Sequence, residues 1–287
     1  MSPQFTIQPN PKVPFSVVYE DEFFIALNKP AGVVTLPGQK HLYDSLLNGA
    51  FARWGKQLQN LGKKRDFGLL HRLDRGTSGI VLIALQHDSY DHLRQLFESR
   101  QSKKRYWAII AGVLNPTQGI CMVPIAEIKK DGRKQALLVP PKNKLAATAN
   151  HHARKSPKRS KFSQAIPQRL KAQKASTTYQ VIESQKSRFG VSSLIRCEPK
   201  TGRLHQIRIH MKALGSYVLG DFEYAGKTEL NQFMKSKARK ELALHAGQVE
   251  FTHPNSQQNI RICAPISDNM KSVLNDLKLS SPSELNV

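Results

Sequence analysis

The chain has 287 residues, with 44 Lys/Arg against 21 Asp/Glu and a net charge of +23. That length supports a sizeable core, and that charge attracts polyanions and disfavours acidic partners. The longest strongly apolar run, Ile80 to Leu85, is far short of the roughly 20 residues that span a bilayer, so nucleic acid rather than a membrane is the expected partner. Three widely spaced cysteines, Cys121, Cys197 and Cys263, argue against a disulfide framework and against a zinc site of close ligand pairs. Residues 1–14 show no basic start followed by an apolar stretch, so no secretory signal is expected and the setting is read as cytoplasmic.

Residues 1–14 read as an N-terminal extension. Two short strands are predicted between Phe15 and Asn28, around the acidic turn Glu20-Asp21-Glu22. Asn28-Lys29-Pro30-Ala31-Gly32 follows as a tight exposed turn. Leu46, Leu47, Ala50, Phe51, Trp54 and Leu58 recur at helical spacing, which predicts an amphipathic helix from Tyr43 to Leu58. Gly79 to Leu85 reads as a buried strand. A helix capped by Asp88 or Ser89 follows, with Leu93, Leu96 and Phe97 as its apolar positions. Strands are predicted over Tyr106 to Gly112, Thr177 to Ser184 and Val191 to Cys197, and a helix from Thr201 to Leu214 ended by Gly215. Leu242 to Phe251 and Asn259 to Cys263 read as the last strands, before a helix from Asp268 to Leu277 and a tail over 279–287.

One segment differs in composition. Residues 129–174 hold 14 Lys/Arg and a single acid, Asp131. Residues 142–174 carry few large apolar side chains and no periodicity, so 129–175 reads as a basic, mobile insertion that contacts RNA. His151-His152 lies inside it without cysteine neighbours and reads as solvated.

Three stretches carry chemistry. In His71-Arg72-Leu73-Asp74-Arg75-Gly76-Thr77-Ser78-Gly79, an acid sits between two arginines in a Gly-broken turn ahead of a buried strand. Functional groups gather at such element ends, and a fixed, ionised carboxylate can be a nucleophile; an isolated Asp-Arg-Gly would only stabilise a turn. In Lys200 to His210, Thr201 can cap a helix, while His205 and Arg208 lie three apart on one face. Arg208 suits a carboxylate or phosphate partner. In Lys103-Lys104-Arg105-Tyr106-Trp107, basic residues run into aromatics, a pattern that fits a nucleic-acid groove with a stacking platform.

Together these stretches resemble the RluA-type pseudouridine synthase family, from about Val17 to Pro265. His71 to Gly79 is similar to the signature around the family's catalytic aspartate. Tyr106 matches the active-site tyrosine motif, closed by Gly112, and Thr201 to His210 matches the motif whose arginine faces the aspartate. Asn28 to Gly32, Gly220-Asp221 and Leu244-His245-Ala246 fall where the family has turn motifs. The first family motif begins near Tyr19, leaving no room for the small RNA-binding module that often precedes the catalytic domain, and the basic insertion is outside the family's core pattern.

The resemblance implies an α+β catalytic domain over 15–278, built on a largely antiparallel sheet with peripheral helices. It implies isomerisation of uridine to pseudouridine in structured RNA, either large-subunit ribosomal RNA or transfer RNA, by a monomer needing no cofactor and no metal. Asp74, Tyr106 and Arg208 are the implied catalytic residues, with Arg72, Arg75, Lys103, His205 and Gln206 as substrate contacts. Arg72 is the candidate to fill the gap left by the flipped base. Two other readings compete: an RNA-binding or RNA-folding factor in which catalysis is incidental, and a metal-free nuclease using His71, His205 and His210.

Overall fold

A computed structural model describes residues 6–130, 133–139, 171–225, 228–236 and 241–282. The centre is a nine-stranded sheet. Its strands are β1 (Ser16–Glu20), β2 (Phe24–Lys29), β3 (Ser78–Ala84), β4 (Lys103–Ala111), β5 (Gln118–Cys121), β8 (Thr177–Ser187), β9 (Gly190–Pro199), β10 (Leu244–Thr252) and β11 (Asn259–Cys263). A separate hairpin joins β6 (Ile125–Lys130) to β7 (Arg133–Leu138). The order across the sheet is β1-β2-β3-β10-β4-β9-β8-β5, with β11 on β10. Every described pairing is antiparallel except β3 with β10. The expected α+β class with a largely antiparallel sheet is therefore the observed one.

Alternation along the strands explains how helices cover both sides. Ile25, Leu27, Val81 and Ile83 pack against α1 (Leu46–Leu61), whose buried face is Leu46, Leu47, Ala50, Phe51, Trp54 and Leu58. The intervening Phe24, Ala26, Ile80 and Leu82 pack against Leu93 and Leu96 of α2 (His87–Glu98). On β4, Ala108 and Ile110 meet α3 (Gln206–Ala213), while Trp107 and Ile109 meet α4 (Glu229–Ser236) and α5 (Asp268–Leu277). Ser45 caps α1 in a reciprocal capping box with Asn48.

Several expectations shift. The helix predicted from Thr201 starts at Gln206, and its N-cap is His205 in the left-handed region (φ 52°). Thr201 instead donates its hydroxyl to Gln206 Oε1 (2.6 Å). Neither Asp88 nor Ser89 caps α2, whose N-cap is Gln86. Short β5, the β6–β7 hairpin and α4 have no counterpart among the predicted elements. Residues 6–14 are more than an extension, because Ile7 and Val13 are buried and Asn10 N–H donates to the Asn48 carbonyl. Both edges of the expected basic insertion have structure. Lys129, Lys130, Arg133 and Lys134 sit in the hairpin, Gln173 pairs with Ile125, and Ala175 is buried. Residues 140–170 lie outside the described residues. Among the described residues, no helix is long and apolar enough to cross a membrane.

The backbones of β3 and β10 approach closely at their junction. Only His245↔Ser78 and Ala246↔Gly79 pair there, and Ala246 also pairs with Tyr106. A Cβ on Gly79 (φ +115°) would lie 2.2 Å from the Ala246 carbonyl oxygen, so only glycine allows this approach. His245 is locked below it, between Ser78 Oγ (2.9 Å) and the Ala264 carbonyl (3.2 Å). His210 is likewise buried between Thr177 Oγ1 (2.9 Å) and the Val123 carbonyl (3.0 Å).

Burial lowers both histidines below their ordinary pKa, His245 to about 4. Below about pH 6.5 the unfolded chain binds protons at these rings that the folded protein refuses, so stability falls as pH drops. The limiting slope is about 1.4 kcal/mol per pH unit for each histidine. Thermal unfolding should give a Tm that declines steadily from about pH 7 to about pH 5, with a shallower decline in His245→Gln. A Tm that is flat or rising over that interval contradicts this assignment.

Candidate active site

The β3–β10–β4 junction brings the loop before β3 beside Tyr106, which packs against both the α1 and the α3 clusters. A cleft of about 420 Å³ opens there, lined by Asp74, Tyr106, His205 and Arg208, within the range of small-ligand pockets. Arg72 lines it as an exposed side chain.

The Asp74 loop is fixed from both sides by the turn that follows β2. Thr35 Oγ1 donates to the Leu73 carbonyl (2.9 Å) and accepts from Leu73 N–H (3.1 Å). On the other side, Gly32 N–H donates to the Arg75 carbonyl (2.7 Å) and Arg75 Nε donates to the Gly32 carbonyl (2.9 Å). Beneath the turn, the buried Lys29 ammonium donates to the carbonyls of Pro30 (2.9 Å) and Val33 (2.7 Å) and reaches that of Arg75 at 3.5 Å. Burial lowers the Lys29 pKa to about 7, against the opposing pull of Asp74. The Asn28 to Gly32 turn is thus the brace of the Asp74 loop.

Arg208 approaches from α3. Its Nε and Nη2 donate to Asp221 Oδ2 (2.8 Å) and Oδ1 (2.9 Å), and Nη2 also to Glu223 Oε2 (2.8 Å). This leaves Nη1 facing Asp74 Oδ2 at 3.6 Å. Burial opposes the guanidinium charge, but the hydrogen bonds it donates to Asp221 and the nearby charges of Asp221, Asp74 and Glu223 raise its pKa above the usual arginine value. Asp221 is 1% exposed, and Gly220 (φ +79°) makes the turn that delivers it, since a Cβ there would lie 2.1 Å from the Glu241 carbonyl oxygen.

His205 completes the wall. Its Nε2 is 3.9 Å from Asp74 Oδ2 and its Nδ1 is 2.7 Å from the Tyr224 hydroxyl. That hydroxyl accepts from Ala136 N–H (3.0 Å) on β7, so it can donate to Nδ1, leaving the Nε2 proton facing the carboxylate. This tautomer is assigned from the network. Burial lowers the His205 pKa against the opposing pull of Asp74 and Glu223, which favours the neutral ring. Tyr224 also lies under the Arg208 guanidinium (4.8 Å), tying the β6–β7 hairpin to the cleft. The Tyr106 hydroxyl is pushed well above its ordinary pKa by burial and by the charge of Asp74, so it stays protonated.

Three of the expected substrate contacts sit elsewhere or are occupied. Arg75 points to the Gly32 turn. Lys103 is outside the cleft, beside Gln101, Glu250 and Arg261. Gln206 reaches the cleft wall, but its amide is saturated: Oε1 accepts from Thr201 and Arg203, and Nε2 donates to Ser176 and Thr177. Lys104 lines the cleft in place of Lys103. Period-two alternation from Tyr106 selects Lys104 over Lys103, and that signal is present in the sequence. Asp221 is legible in the sequence only as part of a turn; its grip on Arg208, that of Glu223 on the same guanidinium, and the grip of Thr35 on the Leu73 backbone all need the tertiary fold. His71 also lines the cleft, but His210 is buried in its structural hydrogen bonds, so the three histidines of the nuclease reading do not converge there.

The chain matches the model of a family described as RNA pseudouridylate synthase over residues 23–213. It is 28% identical over 271 residues to the ribosomal large subunit pseudouridine synthase D of Zymomonas mobilis, covering 94% of this chain and 74% of that one. It is 30% identical over 268 residues to the protein of the same name from Nitrosomonas europaea, covering 93% and 66%. Among solved structures it is similar to human RNA pseudouridylate synthase domain containing 4, with a TM-score of 0.62 and 25% identity, covering 93% of this chain and 95% of that one.

The Arg208–Asp221 pair gives a direct stability test. Asp221→Asn leaves a buried guanidinium short of its principal counter-charge, and removal of one partner of such a pair costs about 3–5 kcal/mol. Urea unfolding should show a loss near the lower end of that range, and a smaller loss for Glu223→Gln, whose side chain is 32% exposed. A loss below about 1 kcal/mol for Asp221→Asn would show that Arg208 is held by other means.

Proposed function

The chain belongs to the RNA pseudouridylate synthase family, and on that premise we propose that Asp74 is the carboxylate that opens the glycosidic bond of a uridine flipped into the cleft. The observation carrying this reading is the Arg208–Asp74 approach at 3.6 Å, with the rest of the guanidinium already bound to Asp221 and Glu223. A fixed cation aims the carboxylate without neutralising it by a close hydrogen bond.

A uridine stacked in RNA cannot reach the carboxylate, so it leaves the stack first. Asp74 then either attacks C1′, displacing uracil, or removes the C2′ proton to give a glycal and free uracil. On both routes uracil stays in the cleft, turns, and re-bonds to C1′ through C5. As that bond forms, the Asp74 ester is displaced on the first route or Asp74 returns the proton to C2′ on the second, and the C5 proton is lost to a base while N1 ends protonated. Tyr106 stacks on the base, with its hydroxyl available as a hydrogen-bond donor. Arg72, exposed at the rim, fills the gap left by the flipped nucleotide. His205 presents its Nε2–H toward Asp74 and contacts the substrate there. The reaction transfers no electrons and adds no group, so it needs no cofactor.

The relatives' names point to large-subunit ribosomal RNA as the first target to test, with transfer RNA as the alternative. Residues 140–170 carry eight Lys/Arg and no acid, and we assign them to non-specific attraction of the phosphate backbone. An RNA-folding factor is the weaker reading, because a pure RNA binder has no use for a carboxylate aimed into its binding cleft.

Release of tritium from C5-labelled uridine in RNA tests the chemistry. Asp74→Asn should abolish release while RNA affinity, set mainly by phosphate contacts, stays near wild type; release near the wild-type rate removes Asp74 from the reaction. Tyr106→Phe should bind normally and turn over more slowly. Tyr106→Ala should also lose binding, since base–aromatic stacking contributes roughly 1–3 kcal/mol. Unimpaired activity in both Tyr106 variants places that ring outside the reaction.

Replacing 141–170 by a short Gly/Ser linker should weaken binding. It should also flatten the dependence of binding on salt, by roughly 0.7–0.9 in log–log slope for each phosphate no longer neutralised, with little change in turnover at saturating RNA. A large loss of turnover at saturation with an unchanged slope contradicts the electrostatic role.

A further inference from the structure

Lys104 stands two residues before Tyr106 on β4, so alternation carries both side chains to the cleft, about 7 Å apart along the strand. Arg105 between them turns away to Glu198 (2.9 Å) and Glu250 (3.7 Å). The Lys104 ammonium lies 4.8 Å from the Phe97 ring centroid, and His71 stacks on that same ring at 5.3 Å. His71 Nε2 accepts from Leu82 N–H (3.2 Å), which fixes the ring unprotonated at that nitrogen. Burial and the Lys104 charge together push its pKa down to about 3.

Two of the other cations of the cleft have acidic partners. Arg208 has Asp221, Glu223 and Asp74, and Arg94 has Glu98 at 2.7 Å. Lys104 has no carboxylate within ion-pairing distance among the described residues. Burial lowers its pKa to about 8. A cation drawn partly out of water without a counter-charge is costly to hold. Here it faces a cleft whose ligand is a polyanion.

We propose that Lys104 is a phosphate seat, whose ammonium pairs with the RNA backbone phosphate adjoining the uridine that stacks on Tyr106. The assignment rests on the pseudouridine synthase reading. It adds a binding contact one nucleotide's reach from the reacting base. The Phe97–His71 stack forms the floor of the seat, and because His71 is neutral it neither competes for the phosphate nor repels Lys104. The contact is charge-assisted and short-ranged, so it orients the strand as well as binding it.

The test is a double-substitution cycle on an RNA hairpin transcribed around a uridine that the wild-type protein converts. The phosphates flanking that uridine are replaced one at a time by neutral methylphosphonates. In the wild type, one replacement should weaken binding by roughly tenfold. In Lys104→Met, which keeps the stem but not the charge, the same replacement should add nothing. Lys104→Arg should restore the phosphate effect, which also guards against a folding defect in the Met variant.

The seat is overturned if neither replacement affects the wild type, or if the losses from Lys104→Met and from each methylphosphonate simply multiply. Tritium release by the wild type on the unmodified hairpin reports separately on the underlying chemistry. Its absence overturns the synthase reading, whereas release together with independent losses overturns the phosphate seat alone.

Discussion

A buried guanidinium organises this molecule. Arg208 cannot sit inside the fold without counter-charge, and Asp221 supplies it bidentately from a turn that only glycine at position 220 can make. Glu223 takes a further donor and Tyr224 lies against the planar face. With Nε and Nη2 engaged, Nη1 is left pointing at Asp74. Asp74 in turn is held by a loop clamped on both sides to the turn after β2. Each half is rigid for its own reasons, and the cleft is where the two meet. On the proposed reading, such preorganisation would let the carboxylate and its aiming cation act without rearrangement when a base arrives.

The sheet decides which side chains reach that meeting point. The close contact of Gly79 with Ala246 lets β3 and β10 approach, and Ala246 carries Tyr106 beside it. From Tyr106, strand alternation sends Lys104 to the cleft and Arg105 to the opposite side, where Glu198 and Glu250 pair with it. A run of basic residues that looks uniform in the sequence is therefore divided by geometry into a cleft lysine and a structural arginine.

The amphipathic helix at 46–61 and the buried strand at 78–84 are legible in the sequence because their periodicity is local. The family motifs place Asp74, Tyr106 and Arg208 in order, and the fold brings those three into one cleft. What the sequence hides is tertiary. The start of α3 is displaced because Thr201 has the chemistry of a cap, yet its hydroxyl is spent on Gln206, and His205 takes the cap position in a left-handed conformation. Gln206 fits a substrate-contact pattern, but its amide is consumed by Thr201, Arg203, Ser176 and Thr177, none adjacent to it in sequence. The basic stretch masks the β6–β7 hairpin, because Lys129, Lys130, Arg133 and Lys134 hide the pairing of Ile125 and Ala126 with Leu138 and Leu137.

The central claim is that Asp74, aimed by Arg208, isomerises uridine in RNA. Mapping pseudouridines across ribosomal and transfer RNA tests it most directly, in cells lacking this protein and in the same cells supplied with the wild type or with Asp74→Asn. One or a few sites should disappear when the protein is removed, return with the wild type, and stay absent with Asp74→Asn. Sites that return fully with Asp74→Asn, or no change in any site when the protein is removed, would contradict it.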